Sequence, residues 1–363
     1  MKTYKHLWEQ FISYDNITKA MHNASLHKQE YIEVDIMLKD LDQYVDAIVD
    51  YINSFKNYEH IPVIIEEGVH RKKREIIAPA FAEQVVHHMI VQVLMPMFKK
   101  GLYEHTYASI PGRGLHMAAK RVVKWIMKND KNVKYFLKMD IKKFFDSIDL
   151  DILKDMLRRK IKDDKFLNLV FKVLDVKKRG IPLGFYTSQW FANWYLQELD
   201  HYIKEDLKAI HYVRYMDDMV IFGPNKKELH KIRFWIDHWL REKRNVQLKE
   251  NWQVCRFIHI SKKDGKEKGR PLDFLGFQFY RDRIILRETL MLKATRTANR
   301  ISKKKKPTIF DCRQMMSYNG FLKSSQTHSM YMNRIFGKVN FKRMIKYISK
   351  WDKENQKECK INF

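Results

Sequence analysis

Two adjacent acids, Asp217 and Asp218, sit inside an otherwise apolar, β-forming run, His211–Phe222 (HYVRYMDDMVIF). β-Formers lead into the pair and an apolar run leaves it. The segment therefore reads as a tight β-hairpin with Tyr215-Met216-Asp217-Asp218 at its tip. Side-by-side carboxylates at a turn repel each other unless a cation lies between them, which makes the pair a natural half of a divalent-metal site. Asp-Asp is also common in ordinary turns, so the pair alone decides little. The other half stands in Phe136–Asp149 (FLKMDIKKFFDSID), where Phe136, Leu137, Met139 and Ile141 flank Asp140 as a buried strand would. Two-metal phosphoryl transfer needs carboxylates from separate elements, so that two Mg²⁺ ions lie about 4 Å apart. One ion lowers the pKa of an attacking 3′-hydroxyl and the other stabilises the departing pyrophosphate, and Mn²⁺ can substitute for Mg²⁺.

The charge balance says what partner such a site would face. Among 363 residues, 70 Lys+Arg stand against 43 Asp+Glu, a formal net charge of +27. That excess costs self-repulsion in the folded state, which a polyanion relieves, so nucleic acid is the expected partner. A membrane surface is the rival, but the basic amphipathic stretches are interrupted and neither end carries a lipidation motif. With 45% hydrophobic and 13% aromatic residues, the chain should bury a sizeable core and hold about two or three subdomains. Cys255, Cys312 and Cys359 are widely spaced with no Cys-x-x-Cys pair, so neither a disulfide framework nor a zinc site is expected. The N-terminal stretch lacks an apolar core of signal-peptide length. The longest apolar region, around Val85–Phe98, contains His87, His88 and Gln92 and is too short to span a bilayer. A cytoplasmic protein with reduced thiols is the expectation.

Along the chain, residues 1–65 read as helical and mixed, with Leu38, Leu41, Val45, Ile48 and Ile52 at core-facing helical spacing. Arg71-Lys72-Lys73-Arg74 is a compact basic cluster before a β-like run and Pro79. Val85–Lys99 reads as a long amphipathic helix, on which the neighbouring His87 and His88 point in different directions and do not suggest a metal. Tyr107–Lys120 (YASIPGRGLHMAAK) is a loop entering a helix. Gly112 and Gly114 would let its backbone approach a ligand, and Arg113 between them can fork to a phosphate. Leu150–Arg179 is charged and helical. Beyond Phe279 a basic run, Ser302–Pro307 (SKKKKP), precedes helical segments carrying Lys323, Arg334, Lys338, Lys342, Arg343 and Lys346 among Tyr318, Phe321, Tyr331, Phe336 and Phe341. A charge run is usually a solvated face. Here the aromatics would pack helices while the cations follow a nucleic-acid backbone.

Seven blocks, taken in order, resemble the reverse transcriptases of bacteria and retroelements, over roughly residues 71–279. Asp140–Phe145 matches their Asp-Ile-x-x-Phe-Phe pattern and Tyr215–Asp218 their Tyr-x-Asp-Asp signature. Between these lies Gly180–Asn193 (GIPLGFYTSQWFAN), similar to the nucleotide-pocket block. Gln247-Leu248-Lys249 resembles the lysine-bearing block and Phe274–Phe277 (FLGF) the primer-grip hairpin, while Arg74–Pro79 (REIIAP) and Ile110–Gly114 (IPGRG) resemble fingers motifs. The resemblance implies an α+β right-hand polymerase whose palm is an antiparallel sheet carrying the catalytic aspartates. Its expected parts are an N-terminal segment and fingers over 1–135, a palm over 136–285 with 150–179 returning to the fingers, and a helical basic thumb over 286–363. It implies two Mg²⁺ ions held by Asp140, Asp217, Asp218 and the Ile141 carbonyl. Lys249 would be a general acid for pyrophosphate or a phosphate contact. Arg71, Arg74, Arg113, Phe145, Leu183, Gly184, Ser188 and Gln189 would line the nucleotide site.

Phe145, five residues beyond Asp140, would by the same resemblance close the space of a ribose 2′-hydroxyl and favour dNTPs, its neighbour Phe144 being core. Most enzymes of this kind begin the pocket block with Gln-Gly and end it with Ser-Pro, whereas here Leu183-Gly184 and Ser188-Gln189 stand. That departure is similar to the reverse transcriptases of diversity-generating retroelements, which copy a template RNA with errors concentrated at adenines. Losing one hydrogen bond beside the nucleotide weakens discrimination by about 1–3 kcal/mol. The partners implied are a template RNA, an RNA or DNA primer, dNTPs and a small basic accessory protein. A defence-associated or retron-type enzyme using its own non-coding RNA is the alternative, and a catalytically inactive RNA-binding scaffold is a third reading.

Overall fold

The computed structural model describes residues 3–26, 28, 32–54, 60–67, 72–128 and 131–357. At its centre is a four-stranded antiparallel sheet of β1 (Tyr135–Met139), β2 (His211–Tyr215), β3 (Asp218–Gly223) and β4 (Gln253–Arg256), in the order β2-β3-β1-β4. The hairpin expected over His211–Phe222 is present, with Tyr215 opposite Asp218 and only Met216 and Asp217 between them. So short a connection suits the strand twist when its backbone takes positive φ, and Met216 does, at 58°. A non-glycine residue in this region is sterically disfavoured, so its surroundings must hold it there.

Side chains alternate across a strand, and both faces of this sheet are covered. Leu137, Met139, Tyr212, Met219 and Ile221 face one core, while Phe136, Val213, Val220 and Phe222 face a second. Double burial explains why the strand before Asp140 reads as a nearly continuous apolar run.

The first core is built around helix α1 (Phe81–Lys99), which buries Val85, Val86, Met89, Ile90, Val93 and Leu94. The amphipathic helix expected at Val85–Lys99 is therefore longer and apolar on nearly every side. The cause is its enclosure between the Tyr14–Ser25 helix and the Tyr186–Tyr195 helix. Leu41–Asn53 buries Val45, Ile48 and Ile52, as their spacing requires. The charged region after Asp149 folds as two helices, Leu150–Lys160 and Asp164–Leu174, each capped by an aspartate, Asp149 or Asp163.

The second core lies against α2 (Leu115–Met127) and against short strands Leu272–Phe274, Phe277–Phe279 and Ile284–Leu286. In chain order the remaining helices used below are α3 (Tyr186–Tyr195), α4 (Lys226–Arg244), α5 (Glu288–Ser302), α6 (Ile309–Lys323) and α7 (Phe341–Lys357). After the basic run, Thr308 and Asp311 form a reciprocal capping box that starts α6. Mixed helix and antiparallel sheet, with the acidic hairpin in that sheet, is the α+β arrangement the sequence implied.

Candidate active site

The two acidic segments meet because of strand register. Met139 is paired with Met219, so the end of β1 and the beginning of β3 share one edge of the sheet, bringing Asp140 to Asp217 and Asp218. A third segment is laced to Asp140 by backbone. The Lys249 N–H donates to the Asp140 carbonyl at 2.8 Å, the Lys142 N–H donates to the Gln247 carbonyl at 2.9 Å, and buried Ile141 is bridged to Leu248. The Lys249 ammonium forms an ion pair with Asp140 Oδ2.

These carboxylates are held in mutual conflict. Burial, then a hydrogen bond with the Asp140 carboxyl and its negative charge, push Asp217 up to about 8 from the ordinary 3.8. Burial pushes Asp218 up to about 6, with Asp140 adding to the rise while Lys138, Arg287 and Lys249 oppose it. One oxygen each of Asp140 and Asp218 is buried without a hydrogen-bond partner among the described residues. Buried oxygens left in that state are costly, and hard divalent cations take oxygen ligands of this kind. The donor set therefore fits Mg²⁺. In this arrangement, however, no group of three or more His, Cys, Asp or Glu among the described residues is gathered tightly enough to hold an ion. Charge on Asp140 is instead met by the Lys249 ammonium.

The Gly180–Asn193 segment is tied to the Phe144–Ile148 turn that follows Asp140 and to Ile77. The Ile181 N–H donates to the Phe145 carbonyl at 2.8 Å and the Gly180 N–H to the Ile148 carbonyl at 3.0 Å. Phe144 is buried and Phe145 half-buried, their rings edge-on at 5.7 Å, so one is core and the other keeps an accessible face. On the other side the Ile77 N–H donates to the Leu183 carbonyl at 2.8 Å. Gly184 has φ +110°, and a Cβ there would lie 2.0 Å from the Ile77 carbonyl oxygen, so the close approach requires glycine.

Other expected pocket residues fall in different places. Gln189 is exposed on α3, whereas Ser188 is buried in that helix with its side chain turned into the protein. Arg74 lies opposite Ile65 in a two-stranded hairpin, Val63–Glu67 with Lys72–Ile76. Arg71 lies outside the described residues. The Arg113 guanidinium turns inward, donating to the carbonyls of Tyr103 at 2.8 Å and Thr106 at 3.2 Å, where it clasps its own loop.

A buried network beneath the hairpin tip was not anticipated. Arg214 and Asp200 are both wholly buried and paired, with Nε to Oδ1 at 2.7 Å and Nη2 to Oδ2 at 2.5 Å. Tyr212 and Thr106 hydroxyls also donate to Asp200, at 2.7 and 3.2 Å. From this anchor Arg214 Nη1 donates to the Met216 carbonyl at 3.0 Å and to Asn193 Oδ1 at 3.1 Å. The strained residue of the turn is thus gripped from inside, and Asp217 and Asp218 are placed by it. The one signal available was an arginine between Val213 and Tyr215 in an otherwise apolar strand. Lys138 and Arg287, the cations near Asp218, meet at Asp273: Lys138 Nζ donates to its carbonyl at 2.6 Å, and Arg287 Nε to its carboxylate at 2.8 Å.

Residues 66–279 match the family model described as reverse transcriptase (RNA-dependent DNA polymerase). That span is more than half of the chain, and the chain belongs to this family. Among curated relatives, it is 28% identical over 147 residues to the retron Ec73 reverse transcriptase of Escherichia coli, covering 37% of this chain and 44% of that protein. It is 26% identical over 212 residues to the group II intron-encoded protein LtrA of Lactococcus lactis subsp. cremoris, covering 54% of this chain and 34% of the relative. The chain spans less than half the length of the curated relatives it matches. Among solved structures, apo telomerase from Candida tropicalis superposes with a TM-score of 0.48 at 13% identity, over 87% of this chain and 64% of that one.

Two outcomes follow from the site. Without divalent cation, folded Asp217 keeps a proton between about pH 4 and 8 that the unfolded chain gives up, so stability falls as pH rises through this window. Asp217→Asn, which cannot ionise, should therefore raise the melting temperature in EDTA at pH 8 and do so less at pH 5, as calorimetry would read. Arg214→Ala leaves Asp200 buried and unpaired and should cost about 3–5 kcal/mol in chemical denaturation, with Arg214→Lys intermediate.

Proposed function

We propose that this chain is an RNA-directed DNA polymerase that extends a primer on an RNA template by nucleotidyl transfer from dNTPs. The observation that carries this reading is the meeting of Asp140, Asp217 and Asp218 at one sheet edge, in a member of the reverse transcriptase family. Asp140 and Asp217, with Asp218 and the Ile141 carbonyl in support, would hold two Mg²⁺ ions or Mn²⁺ in their place. When bound, the ions supply activation of the primer 3′-hydroxyl and neutralisation of the departing pyrophosphate. Lys249, ion-paired with Asp140, would meet phosphate charge or give a proton to the leaving group. The half-buried face of Phe145 would lie against the sugar edge and disfavour a 2′-hydroxyl. Leu183 and Gly184 supply backbone and apolar surface to the base pair, with Gln189 at the exposed rim and Arg74 on the hairpin that covers the triphosphate. In this reading fingers run to about residue 135, the palm to about 285, and the helices beyond are the thumb.

Within the family, the Leu183-Gly184 and Ser188-Gln189 departures favour an error-prone enzyme of a diversity-generating retroelement, served by a template RNA and a small basic accessory protein. Similarity to the Ec73 retron enzyme favours the second reading, an enzyme that copies its own non-coding RNA. None of the described helices is long and apolar enough to cross a membrane. Primer extension on a heteropolymeric RNA template with Mg²⁺ and dNTPs tests the proposal, with products sequenced base by base. Extension should occur and fall by at least a thousandfold in Asp217→Ala. Errors clustered opposite template adenines would mark the mutagenic enzyme, and uniformly accurate products would sink that role while keeping the polymerase. Extension unaffected by Asp217→Ala, or absent with every partner supplied, would overturn the polymerase reading in favour of a scaffold.

A further inference from the structure

The neighbouring histidines of α1, His87 and His88, lie outside the acidic centre, and both reach the segment that begins α3. His88 stacks on Tyr186, with ring centroids 4.1 Å apart. His87 is wholly buried. Its Nδ1 lies 3.0 Å from the Thr187 hydroxyl and its ring 4.4 Å from that of Phe185, which also meets the His60 ring at 5.3 Å. Glu83, one turn before His87 on α1, faces both imidazoles. His60 Nε2 is 2.9 and 2.8 Å from its two carboxylate oxygens, and His87 Nε2 is 3.7 Å from Oε1.

The side chains of Glu83 and His60 are only 4% and 9% exposed. Burial pushes the Glu83 carboxyl upward, but His87 and His60 outweigh it and hold the group below its ordinary range. A carboxylate at this point favours an imidazole that turns N–H, not a lone pair, toward it. On His87 that places the proton on Nε2 and leaves Nδ1 to accept from the Thr187 hydroxyl. One polar chain thus runs from His60 through Glu83 and His87 to Thr187.

The two ends of that chain sit at places of different rigidity. Thr187 is buried at the start of α3, whereas His60 leads into the hairpin of Val63–Glu67 with Lys72–Ile76. Val63, Ile64, Ile65, Lys73 and Glu75 of that hairpin are exposed. A two-stranded hairpin is marginally stable by itself, so its direction is set at its base. The strand that leaves it is fastened by the Ile77 N–H to the Leu183 carbonyl at 2.8 Å. The segment that enters it is fastened by His60 to Glu83. Both fastenings lead to the same stretch, Leu183–Thr187.

We propose that Glu83 is a positioning residue for the incoming nucleotide, setting the hairpin that carries Arg74 against the Leu183–Thr187 stretch through His60 and His87. This rests on the polymerase reading, in which the hairpin covers the triphosphate and the stretch faces the base pair. Glu83 touches neither substrate nor metal in this role. It keeps the two surfaces in register.

The first test needs no catalysis. Hydrogen exchange of the full chain, without nucleic acid or dNTP, should run about tenfold faster over Val63–Ile76 in Glu83→Ala and in His60→Ala, with Tyr135–Met139 and Asp218–Gly223 unchanged. The second is primer extension on an RNA template with Mg²⁺ at graded dNTP. Both variants should raise KM for dNTP about tenfold while kcat stays within about twofold. A fold defect alone would lower kcat by shrinking the active fraction and leave KM in place. His60→Gln, which keeps a donor for Glu83, should restore both readouts. The double variant Glu83→Ala/His60→Ala should be no worse than Glu83→Ala, because the two residues form one contact. His60→Ala, at the rim of the cluster, carries both tests if Glu83→Ala does not fold. Unchanged hairpin exchange in His60→Ala, or a fall in kcat with KM for dNTP unmoved, would overturn the proposal. No extension by the parent chain would sink the polymerase reading and the nucleotide role with it, while exchange alone still decides whether Glu83 fixes the hairpin.

Discussion

A buried ion pair between Arg214 and Asp200 is the interaction on which the acidic centre depends. Removing two charges from water costs several kcal/mol each, and attraction offsets that only if the remaining hydrogen-bonding capacity is satisfied. Here it is, by the Tyr212 and Thr106 hydroxyls on the Asp200 carboxylate and by Asn193 on the guanidinium, so both partners are fixed in place. What the guanidinium then holds is the least favourable stretch of backbone in the sheet, the Met216 turn with its positive φ. Strain at the hairpin tip is thereby set against a rigid anchor below it. The two acids that follow inherit a fixed position instead of relaxing away from Asp140.

That fixed position has an electrostatic consequence. Three carboxylates at one edge of a sheet, two of them displaced well upward in pKa, form a site more favourable with added positive charge than without it. Lys249 supplies part of that charge, and Lys138 and Arg287 oppose the rise at Asp218. The rest of the chain leans the other way, with a net charge of +27 that attracts a polyphosphate backbone. A locally acidic centre in a globally basic protein suits an enzyme that must bind polyanions and cations at one point.

Much of this was legible in residue order. The acidic hairpin, the strand before Asp140 and the helical basic C-terminal region follow from periodicity and turn chemistry, which are local properties. Gly184 could be marked as a motif glycine, but the reason for it, the Ile77 carbonyl where a Cβ would stand, comes from a segment just past the Lys72–Ile76 strand and far away in sequence. The role of Arg214 is hidden because its partner, Asp200, lies in a different element and no spacing rule links a strand residue to a helix residue. Arg113 has loop contacts that its spacing does not announce. Its glycine neighbours suggest a phosphate fork, and in the fold its Nη1 also donates to two carbonyls of its own loop. Ser188 is similar, since its place in the motif says nothing of which face of α3 turns inward. Helix amphipathicity at Val85–Lys99 misleads because a few polar residues, Gln92 and His88 among them, find partners inside the protein.

The central claim is that the meeting of Asp140, Asp217 and Asp218 exists to hold divalent cations at a nucleotidyl-transfer site. The most direct test is to count bound Mn²⁺ by electron paramagnetic resonance on the full chain. The sample should contain an RNA template, an annealed primer lacking its 3′-hydroxyl and the matching dNTP. The account predicts two tightly bound ions per chain, with at least one missing in Asp217→Asn. Equal Mn²⁺ binding by the parent and Asp217→Asn chains would contradict it.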